Sequence, residues 1–254
     1  EDVAVDITHV GRDKDLVNVF TVHTQMGATI PQTASGLGES LAMSADGKRM
    51  IIGAYTEGAG LARVYNWNGT SWVQLGADIK GASSGDHYGE YVSISSNGNR
   101  VAIAGPDHDG KKGHVEIYDW DGTSWIQTGS SILGDSAGDR LGFRGVHLSG
   151  DGNTMAVVSF KNGYLNTYKW DGTSWNKTGV ITIFAGGSHD WPGQAYLSMD
   201  GNRLAIGTGL SNSSKGQVKI FDWDGINTWT QYAAIDGKNG NFGCAIDLSR
   251  NGKK

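Results

Sequence analysis

The sequence predicts an all-β protein, a five-bladed β-propeller that forms a single domain over residues 1–254. A Ser-x-Asp/Asn-Gly turn recurs about every 50 residues, which is the period of a four-stranded propeller blade. The phrase Trp-Asp-Gly-Thr-Ser-Trp, or a near copy, follows four of these turns. The 40 glycines and 3 prolines indicate many tight turns rather than a flexible linker. The five turns end at Gly47, Gly98, Gly152, Gly201 and Gly252.

The pattern predicts four strands in each repeat. Apolar residues alternate ahead of the turn, as at Leu41 and Met43, which indicates a half-buried first strand. An apolar run after the turn, such as Met50–Ile52, indicates a buried second strand. The third strand ends at the first tryptophan of the phrase, and the second tryptophan begins the fourth strand after an Asn/Asp-Gly hairpin turn. The predicted third strands are Ala62–Trp67, His114–Trp120, Tyr164–Trp170 and Gln217–Trp223.

The two ends of the chain are predicted to complete one shared blade. The C-terminal segment Phe242–Lys254 carries only a first strand. The N-terminal segment carries a second strand at Val3–Val5, a third at Leu16–Val22 and a short fourth near Gln25–Ile30. We therefore expect strand Phe242–Ser249 to pair with Val3–Val5 and to close the ring, because closure removes exposed edge strands.

Charge and composition exclude several classes of function. The formal net charge is −5 and no basic stripe is present, so we expect no nucleic-acid partner. No apolar run is long enough to span a bilayer, so we expect no membrane insertion. The single cysteine, Cys244, cannot form an internal disulfide, and its apolar strand pattern predicts a buried, inert thiol.

The strand directions place the connections on two faces with different chemistry. The turn face carries the first-to-second and third-to-fourth turns, which repeat Asp-Gly, Asn-Gly and Asn/Asp-Gly-Thr-Ser. The variable face carries the second-to-third loops and the links between blades. Because binding residues commonly lie on loops held by a rigid scaffold, we predict the ligand site there; loop drift without function is the alternative. These loops and links are Thr8–Asp15, Tyr55–Gly60, Pro106–Lys112, Leu210–Lys215, Ala82–Tyr88, Asp135–Phe143, Gly186–Trp191 and Lys238–Asn241.

Two links repeat a Gly-Asp pair, and the residues around these pairs are candidate ligand contacts. They are Asp86 with His87, and Asp139 with Arg140. An aspartate in this position also commonly accepts hydrogen bonds from nearby backbone amides, so a structural role is the alternative for both aspartates.

Trp191 is the one tryptophan outside the repeated phrase. Together with His189 and Asp190 it is predicted to contact the ligand, because an indole can stack on a sugar ring while polar neighbours fix its orientation. Packing is the alternative. Trp191 would then fill the space that a large residue fills in each other link, namely Leu37, Tyr88, Leu141 and Phe242.

The repeats resemble the FG-GAP-like propeller repeats of secreted and surface proteins. The matching residues are Phe242-Gly243, its variants Leu37-Gly38, Tyr88-Gly89 and Leu141-Gly142, and the later Gly53-Ala54 and Ala104-Gly105-Pro106. The resemblance implies a propeller with an extracellular or surface location and a role in adhesion or recognition.

The family resemblance makes calcium the metal to consider. The related repeats of integrin α subunits bind it in an Asp-rich loop, and only Asp107 and Asp109 resemble that loop here. A hard cation requires six to eight oxygen ligands, so we expect no bound metal ion.

No nucleophile–base pair or phosphate loop is visible in the sequence, and we expect no enzyme activity and no cofactor. We predict a lectin-like or adhesive recognition module that binds a glycan or a protein surface. The first alternative is a structural subunit of a larger assembly, which a contiguous apolar patch on the variable face would favour. The second is a hydrolase, which convergent acids with a raised pKa in the central channel would favour.

Overall fold

Four antiparallel sheets of one design and a smaller two-stranded sheet make up the described chain. The architecture is that of a computed structural model, which describes residues 4–7, 20–23, 25–31, 33–161, 163–183, 192–209, 215–238, 242–249 and 251–253. In each of the four larger sheets, the first four strands pair antiparallel in chain order, and in two of these sheets a fifth, two-residue strand pairs with the third. We call these sheets the first to fourth blades. The all-β class predicted from the sequence is therefore confirmed.

The strand bounds agree with the predicted repeat. The first blade contains β3 (Leu37–Met43), β4 (Arg49–Ala54), β5 (Leu61–Trp67), β6 (Trp72–Gln74) and β7 (Ile79–Lys80). The second contains β8 (Tyr91–Ile94), β9 (Arg100–Gly105), the short turn α1 (His108–Lys111), β10 (His114–Trp120), β11 (Trp125–Gln127) and β12 (Ile132–Leu133). The third contains β13 (Leu141–Leu148), β14 (Thr154–Ser159), β15 (Tyr164–Trp170) and β16 (Trp175–Thr182). The fourth contains β17 (Pro192–Leu197), β18 (Arg203–Thr208), β19 (Gln217–Trp223) and β20 (Trp229–Asp236).

The two-stranded sheet pairs β1 (Ala4–Ile7) with β2 (Phe20–His23). Ala4 lies opposite His23 and Ile7 lies opposite Phe20, so the strands are antiparallel. These strands overlap the predicted second and third strands of the shared blade. The predicted fourth strand is wrong, because residues 25–31 form no strand. This segment lacks the tryptophan pair that begins the fourth strand elsewhere.

One hydrogen-bond pattern defines the turns of the turn face. The Ser44 hydroxyl donates to Asp46 Oδ1 at 2.7 Å and accepts from the Arg49 amide at 2.9 Å. The Lys48 amide also donates to Asp46 Oδ1. Equivalent bonds form at Ser95, Ser149 and Ser198, and Ser249 donates to Asn251. The serine and the Asp/Asn side chain thus satisfy the amides of a tight turn, which explains their recurrence.

The tryptophans of the repeated phrase form cross-strand pairs. Trp67 lies opposite Trp72 with ring centroids 5.5 Å apart, and the other three pairs have the same arrangement. Two of the pairs also bond to the preceding blade: Trp125 Nε1 donates to the Leu75 carbonyl at 2.9 Å, and Trp229 Nε1 donates to Thr167. The predicted structural use of the pairs is confirmed.

Arginine side chains join successive blades at the turn face. Arg100 makes a two-pronged ion pair with Asp119, which lies opposite it on β10, and also donates to the Gly152 carbonyl of the next blade at 3.0 Å. Arg49 reaches Gly98 of the second blade in the same way, and Arg203 reaches Gly252 of the C-terminal segment. The third blade differs, because Thr154 and Lys169 occupy the paired positions.

The apolar core lies between blades rather than in one central mass. One buried cluster joins the first and second blades through Ile51, Val64, Val101 and Ile103. Comparable clusters join the second blade to the third and the third to the fourth. The blades approach so closely that a Cβ on Gly53 would lie 1.9 Å from the carbonyl oxygen of Gly89, so this position requires glycine.

The C-terminal segment lies against the fourth blade without forming a strand over residues 242–249. Phe242 makes a parallel bridge to Gly216, as Tyr88 of the second blade does to Gly60 of the first. Phe242 therefore contacts the fourth blade as Tyr88 contacts the first. The described residues show no pairing between it and the N-terminal sheet, and Val3 lies outside them. The fifth blade and the closed ring remain predictions.

The thiol of Cys244 is exposed, so the predicted buried thiol is wrong. The prediction assumed a regular strand over this segment, which would have turned every second side chain inward. The described part of the chain contains no helix with the length and apolarity that crossing a bilayer requires.

Candidate functional site

A central cavity of about 620 Å³ runs between the first strands of the four blades. Serine and histidine side chains fix these strands to one another. Ser40 accepts from the Val92 amide, Ser93 accepts from the Leu148 amide, and His147 Nδ1 accepts from the Leu197 amide. Toward the variable face the lining is charged, and it includes Glu39, Glu90 and Arg144. A second cavity of about 340 Å³ continues toward the turn face, where Met43, Met199 and Leu248 line it.

Four charged or titratable side chains meet at the variable-face end of this cavity. Arg140 Nε donates to Asp107 Oδ1 at 2.7 Å, and His87 Nδ1 lies 3.3 Å from Asp107 Oδ2. The same His87 nitrogen lies 3.6 Å from Oε2 of Glu90, which lines the cavity. We call His87, Glu90, Asp107 and Arg140 the mouth cluster. It joins the link before the second blade, the β9–β10 loop and the link before the third blade.

Two members of the mouth cluster have an unusual backbone. His87 has φ 55° and Arg140 has φ 47°, in the left-handed region that L residues rarely adopt. The equivalent position in the first blade is Gly36, with φ 69°. A side chain has therefore replaced glycine at a conformational cost of roughly 1–2 kcal/mol. Such strain concentrates at functional sites.

Aromatic rings surround the mouth cluster. The Tyr55 ring meets the His87 ring edge-on, with centroids 5.3 Å apart. The Arg140 guanidinium lies 4.4 Å from the centroid of Phe143, which also contacts Tyr91 and Phe160 in edge-to-face pairs. The site thus presents apolar ring surfaces beside hydrogen-bonding groups.

Burial and neighbouring charges shift the pKa of Glu90 at the mouth. Burial raises the pKa of Glu90, and the nearby charges of Asp107 and Glu39 raise it further, while His87 and Arg140 oppose the shift. Among the described residues, no hydrogen bond reaches Glu90 Oε2. The hydrogen bond that Tyr55 makes with Glu39 raises the pKa of the tyrosine. Deeper in the channel, burial lowers the pKa of His147 to about 4.

Asp86 and Asp139, two of the three aspartates predicted as ligand contacts, are buried and hold their own links. The Ser83 amide donates to Asp86 at 3.2 Å, and the Ser136 amide donates to Asp139 at 2.7 Å. This is the arrangement given above as the structural alternative. We therefore leave Asp86 and Asp139 out of the mouth cluster, whereas their successors His87 and Arg140 belong to it.

Trp191, His189 and Asp190 lie outside the described residues. The register of β17 nevertheless changes how Trp191 aligns with the other links. Pro192 pairs with Thr208 where Leu37 pairs with Ala54 and Leu141 pairs with Ser159. Pro192 therefore holds the position that the sequence comparison gave to Trp191, and that comparison was offset by one residue. Trp191 aligns in sequence with Gly36, His87 and Arg140.

The two calcium candidates, Asp107 and Asp109, each accept a hydrogen bond from a different basic side chain. Asp107 accepts from Arg140, and Asp109 accepts from Lys112 Nζ at 2.7 Å. A separate set of residues has the right composition for a transition metal. Asp86, His108 and His114 each place one ligand atom within 4.8 Å of the other two. Burial lowers the pKa of His114, which favours the neutral imidazole.

Glu39, Glu90 and Arg144 belong to the channel mouth but were missed from the sequence. The sequence does contain a positional signal for the two glutamates. Glu39 comes directly after Leu37-Gly38, and Glu90 comes directly after Tyr88-Gly89. From the sequence, Asp107 is a calcium candidate only. Its role depends on Arg140, which is 33 residues away in the chain.

Comparison with known proteins supports the fold alone. No protein-family model matches the chain, and no curated protein matches it either. The β-propeller domain of Swd1 from Myceliophteria thermophila is 12% identical with a TM-score of 0.60, covering 86% of this chain and 61% of that one. A protein from Lactobacillus plantarum is 18% identical with a TM-score of 0.60, covering 92% and 66%. A candidate 6-phosphogluconolactonase from Bacteroides uniformis is 13% identical with a TM-score of 0.54, covering 93% and 80%.

These similarities show that the chain has a β-propeller-like fold, as the sequence predicted. The chain spans less than two thirds of the length of the first two structures. At such identities a shared fold carries no activity or ligand with it.

Proposed function

We propose that the protein is a non-enzymatic recognition module that binds a glycan at the variable-face mouth of its central channel. The observation that carries this proposal is the mouth cluster. Two of its side chains occupy strained left-handed positions that glycine would hold at lower cost, and both are directed to one carboxylate beside a polar cavity.

The chemistry of the mouth is suited to sugar hydroxyls, which both donate and accept hydrogen bonds. Glu39, Glu90 and Asp107 supply acceptors, while Arg140 and Arg144 supply donors. The neighbouring aromatic rings supply flat apolar surfaces against which a sugar ring can pack. A few convergent polar groups beside apolar surface are the usual composition of a small-ligand site.

The proposal extends to Trp191 through the strand register. Because Trp191 aligns with His87 and Arg140, it belongs to the set of positions that supplies the mouth cluster in the second and third blades. We expect Trp191→Ala to change the free energy of unfolding by no more than about 0.5 kcal/mol and to weaken glycan binding. A loss of about 3–5 kcal/mol in thermal melts would instead identify Trp191 as a core residue.

The test is a glycan-array screen of the whole chain, followed by titration of the best-bound glycan against two matched variants. Asp107→Asn removes the charge to which His87 and Arg140 bond, and we expect at least about tenfold weaker binding. Asp109→Asn is the control. It removes the same charge two residues away, where the partner is an exposed lysine, and should leave affinity unchanged.

Two results would overturn the glycan proposal. The first is a folded protein that binds no glycan on the array. The second is binding that Asp107→Asn and Asp109→Asn affect equally, since a ligand at the mouth must distinguish them.

A second candidate function, glycoside hydrolysis, is favoured by one observation. Glu90 combines a raised pKa with a position in the channel near Glu39, and a protonated acid beside a carboxylate is the pair that glycosidases use. Chromatography of the bound glycans after long incubation distinguishes the two functions. Products that disappear in Glu90→Gln would establish the enzyme, whereas intact glycans support recognition alone. The described mouth is charged rather than apolar, so an assembly interface is not favoured there.

We further propose that the ring closes through a fifth blade, in a propeller of the FG-GAP-like kind. The support is that Phe242 and Gly252 contact the fourth blade as Tyr88 and Gly98 contact the first. Deleting residues 242–254 should uncover the fourth blade and sharply lower the melting temperature, while deleting only 253–254 should not. Equal melting of the full chain and the long deletion would contradict closure.

A further inference from the structure

Asp86, His108 and His114, none of which belongs to the mouth cluster, meet in the second blade. Asp86 belongs to the link before the blade, His108 to the β9–β10 loop, and His114 to the first position of β10. Sequence spacing gave no sign of a metal site, since the three residues are separated by intervals of 22 and 6 positions. The fold nevertheless brings one ligand atom of each within 4.8 Å of the other two.

The imidazole of His114 carries the strongest indication of a missing partner. The residue is only 3% exposed, and its Nε2 is fully buried with no hydrogen-bond partner among the described residues. An unpaired buried nitrogen costs roughly 1–3 kcal/mol, so native proteins normally satisfy it with a protein group, a water or an ion. Glycine at position 105 leaves space at this edge of the ring, because a Cβ there would lie 3.1 Å from Nε2.

The other two ligands are already held in place. Oδ2 of Asp86 accepts from the Ser83 amide at 3.2 Å and lies 2.9 Å from His108 Nδ1. The rings of His108 and His114 meet edge-to-face with centroids 4.1 Å apart. A cation between Asp86 and His108 would take the place of the proton that they share, and that proton would move to His108 Nε2. The Ser83 amide would then orient the carboxylate from behind, as outer partners of metal ligands do.

We propose that Asp86, His108 and His114 form a binding site for a first-row transition-metal ion, of which Zn²⁺ is the probe. Two imidazoles and one carboxylate are a ligand set for Zn²⁺, Co²⁺ or Ni²⁺ and a poor one for Ca²⁺ or Mg²⁺, which prefer oxygen. Three protein ligands leave at least one coordination position open, and His108, with 26% of its side chain exposed, places that position near solvent.

A metal ion at this site would fix the conformation of two segments that carry the mouth cluster. Asp86 precedes His87, and His108 follows Asp107. The metal site does not depend on the proposed glycan function, because none of its three ligands belongs to the mouth cluster.

The experiment is calorimetric titration of chelator-treated protein with Zn²⁺ in the presence of excess Mg²⁺, and Co²⁺ absorption reports the ligand geometry. We expect one Zn²⁺ per chain and a higher melting temperature when it binds. His108→Ala should weaken binding by at least about 100-fold, since loss of even an outer partner commonly costs 10–100-fold. His87→Ala is the control, because it removes a histidine next to Asp86 that is directed to Asp107 instead.

Three results would overturn the metal proposal. They are no saturable Zn²⁺ binding by the wild-type chain, equal binding by wild type and His108→Ala, and equal losses in His108→Ala and His87→Ala. Circular-dichroism melts of metal-free His108→Ala exclude unfolding as the cause of lost binding. If that variant does not fold, Asp86→Asn, which keeps the shape of the side chain, takes its place under the same criteria.

Discussion

The two faces differ in which residues have a positive φ. Among the described residues of the turn face, only glycines do, whereas five residues other than glycine do at the variable face. These five are His87, Asp109, Lys111, Arg140 and Arg144. The aspartates of the turn face accept from amides a few residues away, and the amides of Ser124 and Thr123 lower the pKa of Asp121 to about 2. The charges of the mouth cluster instead pair across three separate segments.

This difference separates the turn-face residues, which stabilise the blades, from the variable-face residues that are candidates for ligand binding. The hydrogen bonds within the turns are local and repeat with the sequence, so each blade forms its own, and arginines then join one turn to the next. Variable-face contacts are assembled from distant segments and retain conformational strain. The same strands therefore support one face optimised for stability and one face that departs from it at a few positions.

The largest expected effect concerns matched arginines on the two faces. Arg100→Leu should lower the free energy of unfolding by about 2–3 kcal/mol, because it leaves Asp119 and the Gly152 carbonyl without their partner. Arg140→Gly should cost less than about 1 kcal/mol, because glycine relieves the strained backbone at φ 47° and His87 stays beside Asp107. Urea denaturation of both variants measures the difference, and equal losses would remove the distinction between the faces.

Acid should lower the free energy of unfolding through His147, which lines the channel between the two faces. Burial lowers the pKa of His147 to about 4 from an ordinary value of 6.5. The unfolded chain therefore binds a proton there between pH 6.5 and pH 4 while the folded chain does not, so stability falls as the pH is lowered through this window. We expect a loss of about 2 kcal/mol, since His147 has some access to the channel. His147→Gln keeps an acceptor for the Leu197 amide and should flatten this part of the pH profile; an unchanged profile would show that other groups control it.

Glycine exchanges in opposite directions sharpen the comparison. Gly152→Ala on the turn face should cost about 1–2 kcal/mol, because φ is 75° and the new Cβ would lie 3.2 Å from Arg100 and Ser95 carbons. His87→Gly on the variable face should leave the free energy of unfolding within about 1 kcal/mol of wild type, since relief of strain offsets the lost contacts. A large loss in His87→Gly would mean that His87 is there for stability.

Most of the described fold could be predicted from the sequence repeat. Particular residues show why the rest could not. The serine turns and tryptophan pairs were predictable because their bonds join neighbours in sequence or across one hairpin. The exposure of Cys244 was not, because the regular strand expected there does not form. His87 and Arg140 were candidates from a repeated link, whereas Glu90 and the role of Asp107 required knowing which loops meet.

The smallest expected effect is a gain in the third blade. There Thr154 and Lys169 replace the arginine and its acidic partner, although Gly201 lies beside Thr154 as Gly152 lies beside Arg100. The double change Thr154→Arg with Lys169→Asp should add up to about 1 kcal/mol of stability, partly offset by loss of the Lys169 contact with Trp223. Thermal melts of the single and double variants test this, and a double variant no better than the singles would show that the clamp does not transfer between blades.

Glycan affinity measured in folded variants of the two faces tests the central claim most directly. Two variants are compared with wild type for binding of the best array ligand. The variable-face variant combines His87→Gly and Arg140→Gly, and the turn-face variant is Arg100→Leu. All three proteins are measured at a temperature where they are folded. Our account predicts at least about tenfold weaker binding for the variable-face variant and wild-type affinity for the turn-face variant. Retained affinity in the variable-face variant, or a comparable loss in Arg100→Leu, would contradict it.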